Sequence, residues 1–337
     1  MNTRFLNFAF IFVAILALVQ IDASGQTRTR STAPAISLMS SLPKSDAVAQ
    51  VKMKQLFNEA MPRILANNPA RLAQVNASVE NFKTRTGLDP RMFDEVALGV
   101  RFTFPAEGTA KAQTVAIAKG AYDSTAMITA GTLAANGKYR QEKYQGKTIY
   151  IFTLDETVSV LGVIDFRIHE LAVLPLDANT LALGDPTSVR LLIDATRASK
   201  RANAELIALA SRDPNAVIGF GANMSQQLVS SIDAIGNAPI AADLAKLRQV
   251  YGSVSTTEKE LELFFGARAV SAEAAASLGT TLKGLAEIGS LFAGRLSGAR
   301  GVLAKSALTN LKIATDANEL QIRTAVPSAD VGPVMGN

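Results

Sequence analysis

One histidine lies among four carboxylates in a short stretch of the chain, and such a group could transfer protons. Asp155, Glu156 and Asp165 precede His169 and Glu170. An imidazole beside a carboxylate can act as a general base, so this group defines a candidate hydrolase centre. The same stretch alternates polar and apolar residues, which predicts a strand with a solvated or hydrogen-bonded edge. We take the edge strand as the prediction and the hydrolase as the alternative.

The inventory of metal ligands is small. His169 is the one histidine of the chain, and the chain has no cysteine. Zinc and related metals need several nitrogen or sulfur ligands, so we predict no metal site of that kind. A calcium site built only from oxygen ligands stays open.

Two short motifs resemble catalytic signatures but lack essential parts. The stretch from Gln145 to Thr148 (QGKT) resembles a phosphate-binding loop, yet Gln141 stands where that loop needs a glycine, and strands flank it. Ser41 and Lys44 have the serine-lysine spacing of penicillin-binding enzymes, but no Lys-Thr-Gly motif follows. The sequence therefore predicts no catalytic residue, no cofactor-binding residue and no cofactor.

The N-terminus has the three parts of an export signal. Arg4 is followed by an apolar run from Phe8 to Val19 and then by small residues at positions 23 to 25. A helix of this run would be about 18 Å long, too short for a bilayer core of about 30 Å. We predict that residues 1–25 are a signal peptide cleaved before Gln26, which makes the protein periplasmic or extracellular without a transmembrane span. An uncleaved membrane anchor is the alternative.

Composition and charge narrow the classes of protein. The chain has 337 residues, of which 48% are hydrophobic, so it can form a substantial core. Its net charge of +5 is carried by scattered cations without interleaved aromatic residues. A nucleic-acid-binding protein needs a concentrated basic surface. We therefore predict a globular protein that does not bind nucleic acid.

The order of the elements predicts an α+β fold made of two tandem related lobes. Predicted strands are neighbours in sequence, which favours antiparallel sheets packed against helices. A polar stretch, residues 26–40, is predicted to be a flexible linker. Lobe 1 is predicted to cover residues 41–200 and lobe 2 residues 201–327. The end of the chain, residues 328–337, is predicted to be a disordered tail.

Short motifs recur in the same order in the two lobes. Residues 46–48 (DAV) are echoed by residues 215–217 (NAV), and Gly120 with Ala121 by Gly266 with Ala267. The hairpin signal at residues 177–179 (DAN) recurs at residues 316–318 (DAN). The collinear order indicates an internal duplication in which lobe 2 is a divergent repeat of lobe 1.

The segment from Ala272 to Lys305 is predicted to form an unusual helix, with an apolar stripe and recurrent glycines. The favoured interpretation is a core helix. The alternative is a helix that meets a membrane surface or a hydrophobic ligand, with Lys283, Arg295 and Arg300 directed toward anionic headgroups. The candidate membrane-facing or ligand-facing residues are those of the stripe: Leu278, Leu282, Leu285, Ile288 and Phe292.

Two stretches carry a resemblance to a known group of proteins. Residues 86–99 (TGLDPRMFDEVALG) step from a glycine-leucine-aspartate turn into a short helix and an apolar strand, and residues 180–185 (TLALGD) precede a helix. These stretches resemble the repeated unit of uncharacterised exported bacterial proteins built from tandem helix and sheet modules. The resemblance implies export and a duplicated α+β fold, and it implies no site residue.

Together these observations favour an exported, non-catalytic protein, either a binding module or a structural module associated with the envelope. Its partner would be a protein or another envelope component. The alternative is a carrier of lipid or of another hydrophobic ligand, held in a groove between sheet and helices. A hydrolase centred on residues 155 to 170 is the third hypothesis.

Overall fold

A computed structural model describes residues 37–106, 109–160, 164–198, 202–233, 245–293 and 295–334. These residues form an α+β fold built on one antiparallel sheet of twelve strands, in the order β11-β12-β10-β9-β8-β1-β2-β3-β7-β6-β5-β4. The signal peptide predicted for residues 1–25 lies outside the described residues.

Every strand pair is antiparallel, as predicted, and many of the pairs join strands that are consecutive in sequence. Strand β4 lies at one edge of the sheet, next to β5, and β11 lies at the other edge. The strands are β1 (Ala47–Val51), β2 (Phe93–Ala106), β3 (Thr109–Gly120), β4 (Tyr139–Tyr144), β5 (Lys147–Val160), β6 (Ile164–Asp177), β7 (Thr180–Gly184), β8 (Ile218–Asn223), β9 (Leu247–Thr256), β10 (Glu260–Ala269), β11 (Lys312–Asp316) and β12 (Glu319–Pro327).

Helices connect the hairpins and cover parts of the sheet. A π-helical turn, Leu56–Ala60, joins the first two helices. The helices are α1 (Met53–Gln55), α2 (Met61–Ile64), α3 (Pro69–Thr86), α4 (Ser124–Ala134), α5 (Pro186–Ala198), α6 (Ala204–Ala210), α7 (Gln226–Asp233), α8 (Ala272–Ala293), α9 (Gly298–Thr309) and α10 (Ser328–Val331).

Both faces of the sheet carry buried apolar side chains. On one face, α5 and α6 cover a cluster that includes Ile117, Ile151 and Leu192. On the other, α4 covers a cluster around Phe93 and Met127. The β10–β12 region has its own cluster under α8. Burial on both faces explains why the strands are rich in apolar residues, since each face removes such residues from water.

The two predicted lobes share one sheet. Strand β1 pairs with β2 on one side and with β8 on the other, so Ala49 lies between Leu98 and Phe220. The strand order β1-β2-β3-β7-β6 of the first half recurs as β8-β9-β10-β12-β11 in the second. Because the sheet continues through the β1–β8 pair, lobe 2 does not have a sheet of its own. The duplication and the predicted boundaries stay predictions.

The strand registers relate the two halves residue by residue. Lys119 lies opposite Thr180 in the first half, and Arg268 lies opposite Glu319 in the second. Lys119 therefore corresponds to Arg268. The sequence-based pairing of Gly120 with Gly266 was wrong by three residues, because motif identity is a weak guide to register where small residues recur. The two DAN hairpins, in contrast, occupy corresponding turns.

Both ends of the predicted domain arrangement require correction. A 3₁₀ turn, Leu38–Ser41, begins inside the predicted linker and buries Met39 completely. At the other end, α10 and a 3₁₀ turn, Gly332–Val334, occupy most of the predicted disordered tail. Val331 is buried there against Val326 and Ala307. Both segments are held in place by apolar contacts with distant residues, which the local sequence does not reveal.

No helix of the described part of the chain is long and apolar enough to cross a bilayer.

Candidate functional site

The segment singled out at residues 272 to 305 forms two helices rather than one. Ser271 caps the N-terminus of α8, because its hydroxyl accepts a hydrogen bond from the Ala274 N–H (3.2 Å). Helix α8 ends at Ala293, and α9 begins at Gly298, whose φ is +69°. This left-handed conformation is readily adopted by glycine, which explains the break in a stretch of good helix formers.

The first half of α8 is a packed helix. Ala274, Ala275 and Leu278 are buried, and Leu282 is half-buried beside them. They cover apolar residues of β10 and β12, including Phe265. For Leu278 and Leu282 the core interpretation agrees with the structure.

The second half of α8 presents its apolar residues to solvent. Leu285 is 49% exposed and Phe292 is 56% exposed, and the core interpretation is therefore wrong for them and for Ile288. Leu291, which the sequence analysis did not single out, is 75% exposed. Residues three, six and seven positions apart on a helix lie along one side of it, so these four side chains form a continuous exposed surface. We call Leu285, Ile288, Leu291 and Phe292 the α8 apolar face.

A comparison with the first half of the protein shows where this face begins. Helix α4 occupies in the first half the position that α8 occupies in the second, between β3 and the strands that return beside it. It has 11 residues, whereas α8 has 22. The first 11 residues of α8 end at Leu282, the last residue of the packed part. The α8 apolar face therefore lies wholly on the extension.

Helix α9 returns alongside the extension of α8. Gly301 lies so close to the turn that a side chain there would meet the Leu296 carbonyl oxygen at 2.0 Å. Ala307 is buried against Val326 and attaches α9 to the sheet. Leu296 and Val302 stay more than half exposed. The two helices thus form a hairpin that is anchored at its base and apolar at its tip.

A groove of about 460 Å³ runs between α8 and α9. The alternative hypothesis of a carrier expects a ligand groove between sheet and helices, whereas this groove lies between two helices. One side chain of its lining, Lys305, is charged. The lining residues are Ser290, Ala293, Leu296, Gly298, Gly301, Val302, Lys305, Leu308 and Thr309.

The charges around this helical hairpin are mainly positive. Lys283, Arg295, Arg300 and Lys305 are exposed, and none of them forms an ion pair within the described part of the chain. The Arg295 guanidinium lies 5.5 Å from the centre of the Phe292 ring, as in a cation–π contact. The segment thus combines apolar side chains with unpaired cations.

The candidate hydrolase centre is not assembled by the residues whose side chains are described. Glu170 forms an ion pair with Arg140, which holds the pKa of the Glu170 carboxyl below its usual value. His169 is exposed. The side chains of Asp155, Glu156 and Asp165 lie outside the described part of the structure.

The two catalytic look-alikes have structural roles. Gln145 and Gly146 have φ values of 50° and 77° and form the turn of the β4–β5 hairpin. Arg197 donates to the Gln145 side chain. Ser41 ends the 3₁₀ turn near the start of the described chain, and Lys44 is exposed. In neither place does a helix N-terminus meet the motif.

A polar network that the sequence analysis missed crosses the sheet on the face opposite α8. Arg268 donates to Glu319 (2.8 Å), Glu205 (2.9 Å) and Gln249 (3.2 Å), and Arg212 donates to Glu319 (3.1 Å) and Tyr251 (2.5 Å). Burial opposes the charge of Glu319, but the two arginines outweigh it and hold its pKa below the usual value. Burial raises the pKa of the Tyr251 hydroxyl to about 12. Acids and bases here neutralise one another.

This network borders a polar cleft of about 550 Å³ that also contains Arg248, Asp316 and Asn318. The members come from strands far apart in the chain. No spacing in the sequence could have indicated it. In the part of the chain that the structure describes, no group of three or more histidine, aspartate or glutamate residues is placed to hold a metal ion.

Comparisons with known proteins found no matching family model and no matching curated protein. Among solved structures, the chain is similar to crystal forms III, IV and I of TP0453. The identities are 9%, 10% and 9%, and the TM-scores are 0.44, 0.45 and 0.43. The alignments cover 89%, 90% and 90% of this chain and 98%, 98% and 99% of those chains.

Proposed function

We propose that this is an exported, non-catalytic protein of the cell envelope that associates with a lipid surface through α8 and α9. The observation that carries the proposal is the α8 apolar face, in which four large side chains are about half or more exposed on the extension of α8. Isolated exposed apolar residues are common, but a contiguous group of them marks an interaction surface. Export is proposed from the apolar run near the N-terminus.

The energetics fit reversible association with a membrane. Complete burial of a large apolar side chain contributes about 1.5–3 kcal/mol, and roughly half of that remains available when the side chain is half exposed. Four side chains then offer about 3–6 kcal/mol, or roughly two to four orders of magnitude in affinity. This is in the range of peripheral helices that lie in the membrane interface rather than of spanning helices.

A binding protein is favoured over an enzyme because Glu170 and Gln145, two residues of the candidate catalytic motifs, have structural contacts. Glu170 pairs with Arg140, and Gln145 closes a hairpin turn. The α8 apolar face, in contrast, has no role in the fold of the described chain. A contiguous apolar surface that is exposed to water is expected to bind a partner.

The proposal is tested by cosedimentation of the mature protein with vesicles of phosphatidylethanolamine and phosphatidylglycerol. The double variant Leu285→Ala and Phe292→Ala should bind at least tenfold more weakly than the wild type and melt at nearly the same temperature. Leu133→Ala is the matched control, since Leu133 is 76% exposed on α4, away from the face. The proposal fails if the wild type does not sediment with vesicles, or if the control loses as much binding as the double variant.

A further inference from the structure

The groove between α8 and α9 is a second apolar surface, distinct from the α8 apolar face. Its volume of about 460 Å³ is within the usual range for small-molecule sites. Its lining runs along α9 from Gly298 to Thr309, a distance of about 16 Å at the helical rise of 1.5 Å per residue. The groove is therefore long and narrow rather than round.

The walls of the groove are apolar side chains that nothing else fills. Leu296 and Val302 are 54% and 52% exposed although they lie in a concave surface, and Leu308 lines it beside Ala293. Gly301 is excluded from carrying a side chain by the nearby Leu296 carbonyl, so no side chain projects from that position to close the groove. Unfilled apolar walls of this kind gain free energy when an apolar chain displaces water from them.

The charge in the groove is of one sign. Lys305 is the one ionisable residue among the lining residues that the structure describes, and no carboxylate is among them. Lys305 forms no ion pair within the described part of the chain, whereas Arg268 and Arg190 are paired with acids. A ligand that fills the groove and neutralises Lys305 must combine an extended apolar part with a single anionic group.

We propose that the groove between α8 and α9 binds one molecule of a single-chain anionic amphiphile, such as a long-chain carboxylate, with its alkyl chain along α9 and its headgroup beside Lys305. From Lys305 to Gly298 the lining spans about 10 Å along α9, a distance that an extended chain of roughly eight to ten carbons covers. This site takes a single dissolved molecule, so it does not depend on the association of the α8 apolar face with a bilayer.

Calorimetric titration with decanoate, below the concentration at which it forms micelles, tests the proposal on the mature protein. Decanoate should bind at a single saturable site. Val302→Trp, which fills the groove, should weaken binding at least tenfold without lowering the melting temperature. If Val302→Trp does not fold, Leu296→Trp serves the same purpose from the opposite wall.

The headgroup assignment has its own control. Lys305→Gln should weaken decanoate binding about two- to fivefold, the usual effect of an exposed charge pair, and should leave binding of uncharged decanol unchanged. Lys283→Gln removes the same charge from α8 outside the groove and should have no effect. Equal losses in both variants would refute the headgroup position.

Three other results would overturn the site itself. These are the absence of saturable decanoate binding by the wild type, unchanged binding by the groove-filling variants, and sedimentation of the protein as a dimer that groove-filling variants dissociate. The last would mean that a second copy of the chain occupies the groove. If the wild type binds decanoate but does not sediment with vesicles, the proposed function is refuted and the assignment of the groove stands.

Discussion

Asn179 and Asn318 accept corresponding backbone hydrogen bonds in the two halves of the protein. The Gly120 N–H donates to the carbonyl oxygen of Asn179 (3.2 Å), and the Ala269 N–H donates to that of Asn318 (2.8 Å). Gly120 ends β3 and Ala269 ends β10, so the two hairpin turns close against corresponding strands. The sheet repeats one hydrogen-bonding scheme even where the sequences of the two halves differ.

Register irregularities recur at matching positions as well. The β2–β3 ladder shifts between Phe93 and Glu95, and the β9–β10 ladder shifts next to Ala269. A bulge bends a strand locally and tends to be retained where the bend matters. One difference between the halves is the helix that follows: α4 has 11 residues, whereas α8 has 22 and exposes the apolar residues of its second half.

The two parts of α8 should respond differently to truncation. Leu278→Ala should lower the free energy of unfolding by about 2–5 kcal/mol, because Leu278 is 7% exposed. Leu285→Ala should cost less than about 1 kcal/mol, because half of that side chain is already in water. Thermal melting checks both, with roughly 1–2 °C expected per kcal/mol for a chain of this size. Equal shifts would show that Leu285 is packed.

Removal of the Asp89 charge should destabilise the protein at neutral pH. Asp89 accepts hydrogen bonds from the Arg91 side chain (2.8 and 2.9 Å) and lies 3.2 Å from the Lys83 amine. Its buried carboxylate is charge-paired, so Asp89→Asn should cost about 1.5–3 kcal/mol in urea unfolding at pH 7. Asp316→Asn, at an exposed carboxylate with no ion pair in the described chain, is the control.

The same pair of variants gives a pH dependence with a defined sign. The hydrogen bonds from Arg91 hold the pKa of Asp89 far below its usual value. Stability from a carboxyl with a lowered pKa is present above the unfolded-state pKa of about 3.9 and is lost as the pH falls toward the native pKa. The difference between wild type and Asp89→Asn should be constant from pH 7 to pH 5 and shrink below about pH 4. A difference that grows in acid would contradict the ion pair.

The Tyr122 hydroxyl should be a structural hydrogen-bonding group. It donates to the Ala118 carbonyl oxygen (2.5 Å) and accepts from the Leu181 N–H (3.1 Å) between β3 and β7. Tyr122→Phe leaves two buried backbone groups without this partner and should cost about 1–3 kcal/mol in unfolding experiments. Tyr139→Phe, at a tyrosine with no hydroxyl hydrogen bond in the described structure, should change stability much less.

Chelators should leave the melting temperature unchanged. The chain has one histidine and no cysteine, so it cannot build a nitrogen and sulfur cage. Differential scanning calorimetry with and without EDTA is the measurement. A lower melting temperature that calcium restores would reveal a site built from oxygen ligands.

The sequence by itself determined the fold class and many local elements. Strands that are neighbours in sequence predicted an antiparallel sheet, and Gln145 with Gly146 is a local signal for the β4–β5 turn. Asn68 and Pro69 are a local signal for the start of α3, where the Asn68 side chain accepts from the Arg71 N–H (3.0 Å). These features depend on residues a few positions apart, and local conformational preferences act over that distance.

Only the tertiary structure decided what each surface meets. The apolar stripe of α8 has the same period at Leu278 and at Phe292, yet Leu278 is buried against the residues of β10 and β12 and Phe292 is exposed. The joining of both halves through β1 and β8, and the contact of Glu319 with Arg212, bring together residues more than a hundred positions apart. Periodicity records that a helix has an apolar side, but burial depends on which distant element covers that side.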